Sequence, residues 1–291
     1  MSAPLDWLIA PFLEFSFMRR ALVACLALGL GCGPMGVLLV LRRMSLVGDA
    51  MSHAVLPGAA IGFLVAGFSL TAMSLGGFAA GLVVALLAGL VTHFTEQRED
   101  ASFAVFYLIS LALGVLIVST RGSNVDLIHV LFGTILAVDD VSLLLMASIA
   151  SVTLLTLAVI YRPLIVECFD PGFLQSVQAH GVVYHLLFLI LLVLNLVAGF
   201  QALGTLMAVG LMMLPAAAAR FWAQQVGTMA AVATGIAMLS GYAGLLLSYY
   251  GNLPSGPAII LTAGVIYGIS VVLGSQDSLR RQFRRSKHLQ A

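Results

Sequence analysis

The chain has 291 residues, of which 61% are hydrophobic and only 9% charged, with a formal net charge of +1. So few charges exclude an ordinary soluble domain, and runs of about 20 apolar residues, each long enough to cross a bilayer as a helix, recur along the chain. The unbroken "HLLFLILLVLNLVAGF" also argues against an outer-membrane barrel, whose segments are short and alternate polar with apolar. The sequence therefore reads as all-α, a polytopic protein partnered first with the lipid bilayer; no nucleic-acid partner is expected.

In chain order, residues 1–17 form an N-terminal segment that lacks a basic n-region and an A-x-A cleavage site. It reads as a short interfacial helix with Trp7 and its phenylalanines at the lipid boundary. Spans are expected at 18–41, 46–66, 70–95, 102–120, 140–161, 182–200, 203–222, 228–249 and 256–274. That makes about nine transmembrane helices. The short apolar stretch Asp126–Val138 reads as re-entrant or interfacial, so eight to ten spans are defensible. Residues 18–275 form one membrane domain and 276–291 a basic tail.

Lysine and arginine set the expected orientation. The run Arg280–Lys287 places the C-terminus in the cytoplasm. Counting back, the connector 162–181, the "EQRED" turn at 96–100 and Arg42–Arg43 share that side, and the N-terminus lies opposite. Arg19 and Arg20 fit the opposite side poorly.

The connector Tyr161–Gly181 is the longest break between spans. Asp170 suits an N-cap, Pro171 the first helical position, and Gly181 a C-cap. A short amphipathic helix is expected at about 171–180, either an interfacial loop or a docking element. No GxxxxGK[ST] loop, HExxH or Ser/His/Asp nucleophile motif occurs, and no internal duplication is evident. Cys25, Cys32 and Cys168 have no disulfide or metal spacing.

The stretch "RRMSLVGDAMSHAVLPG" sets Asp49 and His53 four residues apart, one turn of helix, in otherwise apolar surroundings. A carboxylate in a span costs about 3 kcal/mol and marks a functional site by default. Carboxylate and imidazole suit zinc, manganese or ferrous iron rather than copper(I). Pro57 leaves the carbonyl of His53 without its helical donor and should kink the helix just beyond the pair. A second reading stands beside this one: Asp49 stabilises a helix start capped by Ser45, and His53 is its hydrogen-bond partner. Elsewhere, His93, His129, His180, His185 and His288 read as interfacial or solvated. Asp139 and Asp140 read as caps. Pro34 and Pro215 mark kinks among small residues that permit close helix contact.

The motif Gly48-Asp49-Ala50-Met51-Ser52-His53 resembles the "GDxxSH" signature of the ABC-type zinc/manganese/iron permeases, the membrane subunits of bacterial metal-import ABC transporters. Three further stretches, "DLIHVLFGTILAV", "YRPLIVECFDPGFLQSVQAHG" and "FQALGTLMAVGLMMLPAAAAR", are similar to segments of that family, and the resemblance extends over roughly 15 to 275. It implies a permease fold of the vitamin-B12/siderophore importer type in the inner membrane. It implies a homodimer with its path at the interface, a separate cytoplasmic ATP-binding subunit, and a periplasmic metal-binding protein. The chain itself would not be an enzyme and would bind no permanent cofactor. Its cargo would be zinc, with manganese or iron as alternatives; a stand-alone metal transporter or channel is the other functional class. The resemblance assigns metal contact to Asp49 and His53. It makes 171–180 the coupling helix, with Asp170, Pro171, Phe173 and Leu174 facing the ATPase. Gln178 and Ala179 depart from the small residue and glycine that relatives often carry there.

Overall fold

The computed structural model describes residues 4–44, 46–67, 69–95, 97–121, 138–169 and 181–276, with 278 and 280. The expected coupling residues Asp170, Pro171, Phe173 and Leu174, the stretch around His129, and the tail beyond 280 lie outside them.

The described residues contain helices and no strand. They are α1 (Pro4–Glu14), α2 (Ser16–Leu41), α3 (Val47–Ala54), α4 (Leu56–Ala66), α5 (Leu70–Phe94), α6 (Glu99–Arg121), α7 (Asp140–Phe169), α8 (Gly181–Leu203), α9 (Thr205–Ala219), α10 (Val226–Gly251) and α11 (Ser255–Leu273). Among the described residues, eight spans are long and apolar enough to cross a membrane, counting α3 and α4 as one, and α9 adds a shorter apolar helix. Each of the nine expected spans coincides with one of these.

Two departures are informative. The helix starting at Asp140 runs past the expected limit of 161 to Phe169, carrying Pro163 inside it. Proline removes one hydrogen bond, and the apolar run beyond it is enough to continue the helix. The second span is interrupted at Val55, between α3 and α4. Pro57 stands at the start of α4, where its missing N–H costs nothing further, so the break falls where proline chemistry places it.

Helix α2 forms the centre. In its most apolar window 72% of residues are buried, more than in any other described span. It packs against α7, α8, α9 and α10. Small residues permit this: a side chain at Gly31 would strike the amide of Asn195 on α8, and one at Gly36 the carbonyl of Met212 on α9. Without a hydrophobic drive between helices in lipid, such close backbone approach is the main source of cohesion. The same device joins α4 to α5, where Gly58 and Gly62 lie against the backbone of Gly76 and Ala72. Helices α8 and α9 turn about one residue, Gly204, whose φ of 84° suits glycine. Gly199 and Ala208 then meet directly across the corner.

Side-chain contacts sort the helix ends into two sets. At one end Arg20 at the start of α2 pairs with Asp140 at the start of α7, Nε to Oδ1 2.9 Å. On that end also lie α1 and the end of α10: the hydroxyls of Tyr242 and Tyr250 donate to the carbonyls of Leu8 and Trp7. At the other end Arg42 meets the start of α8 and the end of α7. There too Gln276 N–H, beyond α11, donates to Phe221 O after α9. The alternation of ends thus follows the expected order, with the approach to the C-terminal tail on the Arg42 side. The charge of Arg20, which fitted its expected side poorly, is matched there by Asp140. Asp139 is the cap that its position suggested, accepting from Ser142 N at 3.0 Å. These hydrogen bonds from Ser142 hold its carboxyl below the usual carboxylate range.

Candidate metal site and a buried charge cluster

Two polar groupings stand out on this frame. The first is the pair on α3. Arg43, in the corner that leads to α3, takes a left-handed φ of 59°, uncommon for a residue with a side chain. It turns the chain so that Val47, Gly48, Ala50, Met51 and Ser52 are buried while Asp49 is exposed and His53 half-buried. Ser52 spends its hydroxyl on the carbonyl of Asp49, 2.7 Å. The N-cap position of α3 is Leu46, with no side-chain cap; Ser45, the expected cap, lies outside the described residues.

Asp49 and His53 do not hydrogen-bond one another, as the helix-start reading requires. Among the described residues, no hydrogen bond or ion pair is made by either side chain. The His53 ring lies beside that of Tyr107 on α6, centroids 6.1 Å apart and tilted by 32°. Helix α6 also supports the break that follows. Ser110 donates to the carbonyl of Ala54 at 2.9 Å, and Gly114 abuts the ring of Pro57. Tyr107 escaped the sequence reading because an aromatic in a span has no local mark of function. Among the described residues no group of three or more His, Cys, Asp or Glu is arranged to hold a metal. The pair is thus a partial donor set, an oxygen and a nitrogen on one helical turn.

The second grouping was not anticipated. Arg42 closes α2, and its side chain is only 7% exposed. Its Nη2 lies 3.1 Å from Glu167 Oε2, its Nη1 2.8 Å from His185 Nδ1, and its Nε 3.2 Å from Cys168 Sγ. The guanidinium carbon sits 4.3 Å over the Phe188 ring, a cation–π contact. His185 in turn reaches Glu99 Oε1 with Nε2 at 3.0 Å and Glu167 Oε1 with Nδ1 at 3.3 Å. Two carboxylates therefore face a guanidinium and an imidazole where α2, α6, α7 and α8 meet. In the sequence these residues are scattered over positions 42, 99, 167, 168 and 185, so spacing could not reveal them.

A family model described as the ABC 3 transport family matches residues 14–274. The chain belongs to that family. The ABC 3 resemblance of the "GDxxSH" motif therefore extends through nearly the whole membrane domain. Among ABC 3-like relatives, the manganese import system permease protein ScaB of Streptococcus parasanguinis is 32% identical, over 94% of this chain and 95% of the relative. The manganese transport system membrane protein MntC of Halalkalibacterium halodurans is also 32% identical, covering 94% and 93%. The solved structure of PsaBC from Streptococcus pneumoniae in complex with a Fab contains a chain that superimposes with a TM-score of 0.81 at 29% identity. The match covers 96% of this ABC 3 chain and 99% of that one. The all-helical permease fold implied by the resemblance is thus the fold observed.

Proposed function

We propose that this chain is the membrane permease of an ATP-driven importer of a divalent transition metal, and that the metal is manganese. The observation that carries the reading is the Asp49–His53 pair: two ligand side chains one turn apart, with their donor atoms unspent, on a short helix beside a proline break. A carboxylate oxygen and an imidazole nitrogen suit manganese as well as zinc. The named activity of the relatives favours manganese over the zinc first expected. Asp49 supplies negative charge and His53 a nitrogen lone pair, while water or the same pair from a second copy completes the shell. Incomplete coordination serves transport, because a permeation site must also release its ion.

In this reading ATP is hydrolysed by a separate subunit docked at 171–180 through Asp170, Pro171, Phe173 and Leu174. A secreted metal-binding protein delivers the ion from the opposite face. The assembly sits in the bacterial plasma membrane as a permease homodimer with its C-termini cytoplasmic. The complex reconstituted in proteoliposomes tests this directly. ATP-dependent Mn²⁺ uptake should fall to background in Asp49→Asn and in His53→Ala, with the ATPase still bound. Uptake near normal in both variants would remove the pair from the path, and Zn²⁺ uptake outrunning Mn²⁺ would reverse the choice of metal.

A further inference from the structure

The charge cluster and the metal pair are joined by one face of α6. Glu99, Phe103, Tyr107, Ser110 and Gly114 follow at spacings of four, four, three and four, which places them in one stripe along the helix. At the start of the stripe Glu99 holds His185. Farther along, Tyr107 lies beside His53, Ser110 holds the Ala54 carbonyl, and Gly114 receives Pro57. Phe103, between them, is buried. Eight residues of helix separate Glu99 from Tyr107, about 12 Å. A second connection is covalent: Arg42 is followed by the left-handed Arg43, four residues before the start of α3 at Val47.

We infer that the Arg42–Glu167–His185–Glu99 cluster is a charge lock that positions the Asp49–His53 pair, through the Arg42–Val47 corner and through the Tyr107 face of α6. The inference rests on the reading of that pair as the metal site. The pair needs such a device because the helix loses a backbone hydrogen bond just beyond it: Pro57 leaves the His53 carbonyl without its i+4 donor, although Val55 keeps a helical backbone. The packing of α6 against this junction therefore bears on how His53 is held. Arg42 fixes where α3 begins, and Glu99 fixes the height at which α6 presents Tyr107 and Ser110. The residues of the lock are positioning residues: they touch neither the pair nor its ion. Outer supports of this kind govern metal affinity through ligand orientation.

The full-length chain in lipid nanodiscs, titrated with Mn²⁺ and followed by the electron paramagnetic resonance signal of the free ion, provides the test. Glu99→Gln keeps shape and volume, removes one charge and is expected to fold. The double variant Arg42→Met with Glu167→Leu removes a buried charge from each side, a change that folded proteins often tolerate. Both should bind Mn²⁺ roughly tenfold more weakly than the parent, in the folded fraction. Neither should weaken binding further when His53→Ala is already present. A merely structural cluster would lower yield and melting temperature but leave Mn²⁺ affinity unchanged, and that result overturns the lock. Asp49→Asn separates the two levels. If it abolishes binding while both lock variants bind normally, only the lock falls; if it binds normally, the metal reading falls and the lock with it.

Discussion

The two polar groupings use ionisable side chains in opposite ways. Around Arg42, opposite charges are set against one another: a guanidinium, two carboxylates, an imidazole and a thiol each lie within about 3.3 Å of a neighbour in the cluster, largely out of solvent. On α3, Asp49 is exposed and His53 half-buried beside Tyr107, and neither side chain makes a hydrogen bond or ion pair among the described residues. A group that is to take up and release an ion must keep its lone pairs free, whereas a group that holds helices together must commit them. The number of ionisable residues in a cluster is therefore a poor guide to a metal site; whether they already face opposite charge is a better one. By that measure the richer cluster is structural and the sparser pair is the one left open to a ligand.

The largest effect that would test the contrast is on stability. Arg42→Ala should destabilise the folded chain by about 3–5 kcal/mol, because it leaves Glu167 and Glu99 largely out of solvent with only His185 facing both. Thermal unfolding in detergent reads this, and a melting temperature within error of the parent would mean the cluster is not committed as described. The pair should behave in reverse. Asp49→Asn or His53→Ala should lower Mn²⁺ affinity by about a hundredfold or more, beyond the loss typical of an outer support. For Asp49→Asn, at an exposed position, stability should stay within about 0.5 kcal/mol. A large drop in melting temperature for Asp49→Asn would show that its valences are spent after all.

A third substitution separates α4 from both groupings. An added methyl at Gly58 would collide with the backbone of Gly76 on α5, so Gly58→Ala should cost about 1–3 kcal/mol. It should leave the Mn²⁺ affinity of the folded fraction unchanged, because the break at Val55 lies between this contact and the pair. The smallest effect is expected at the opposite end. Arg20 and Asp140 form an exposed bridge, their side chains 46% and 78% accessible, and Arg20→Gln should cost no more than about 1 kcal/mol. A larger loss there would mean that exposure is a poor divider between committed and idle charges.

Most of the helices were legible in the sequence because lipid imposes a simple rule, a long apolar run with polar breaks. The break after His53 was legible from Pro57, since the loss of a donor is a local event. The pair itself was legible from the cost of a lone carboxylate and its i, i+4 partner. What escaped depended on distant residues. His185 read as a histidine near a turn and Glu99 as part of a solvated loop, because only the fold brings them to Arg42. The end of α7 was misplaced for a related reason: Arg162 and Pro163 look like a stop, yet the helix continues to place Glu167 and Cys168 against that arginine.

The central position of α2 has a consequence for the order of assembly. Among the described long spans it is made before the others, and it is also the most enclosed by them. Its glycine-lined sides await α8, α9 and α10, and the last of these ends about 200 residues later. At synthesis rates of about 5–20 residues per second, α2 stands in the bilayer for roughly 10–40 seconds before its final partner arrives. During that interval Gly31, Cys32 and Gly36 face lipid, or a membrane insertase, instead of protein. The helix that later anchors the bundle must therefore first be tolerated alone, and its unbroken apolar composition serves that earlier state as much as the finished one.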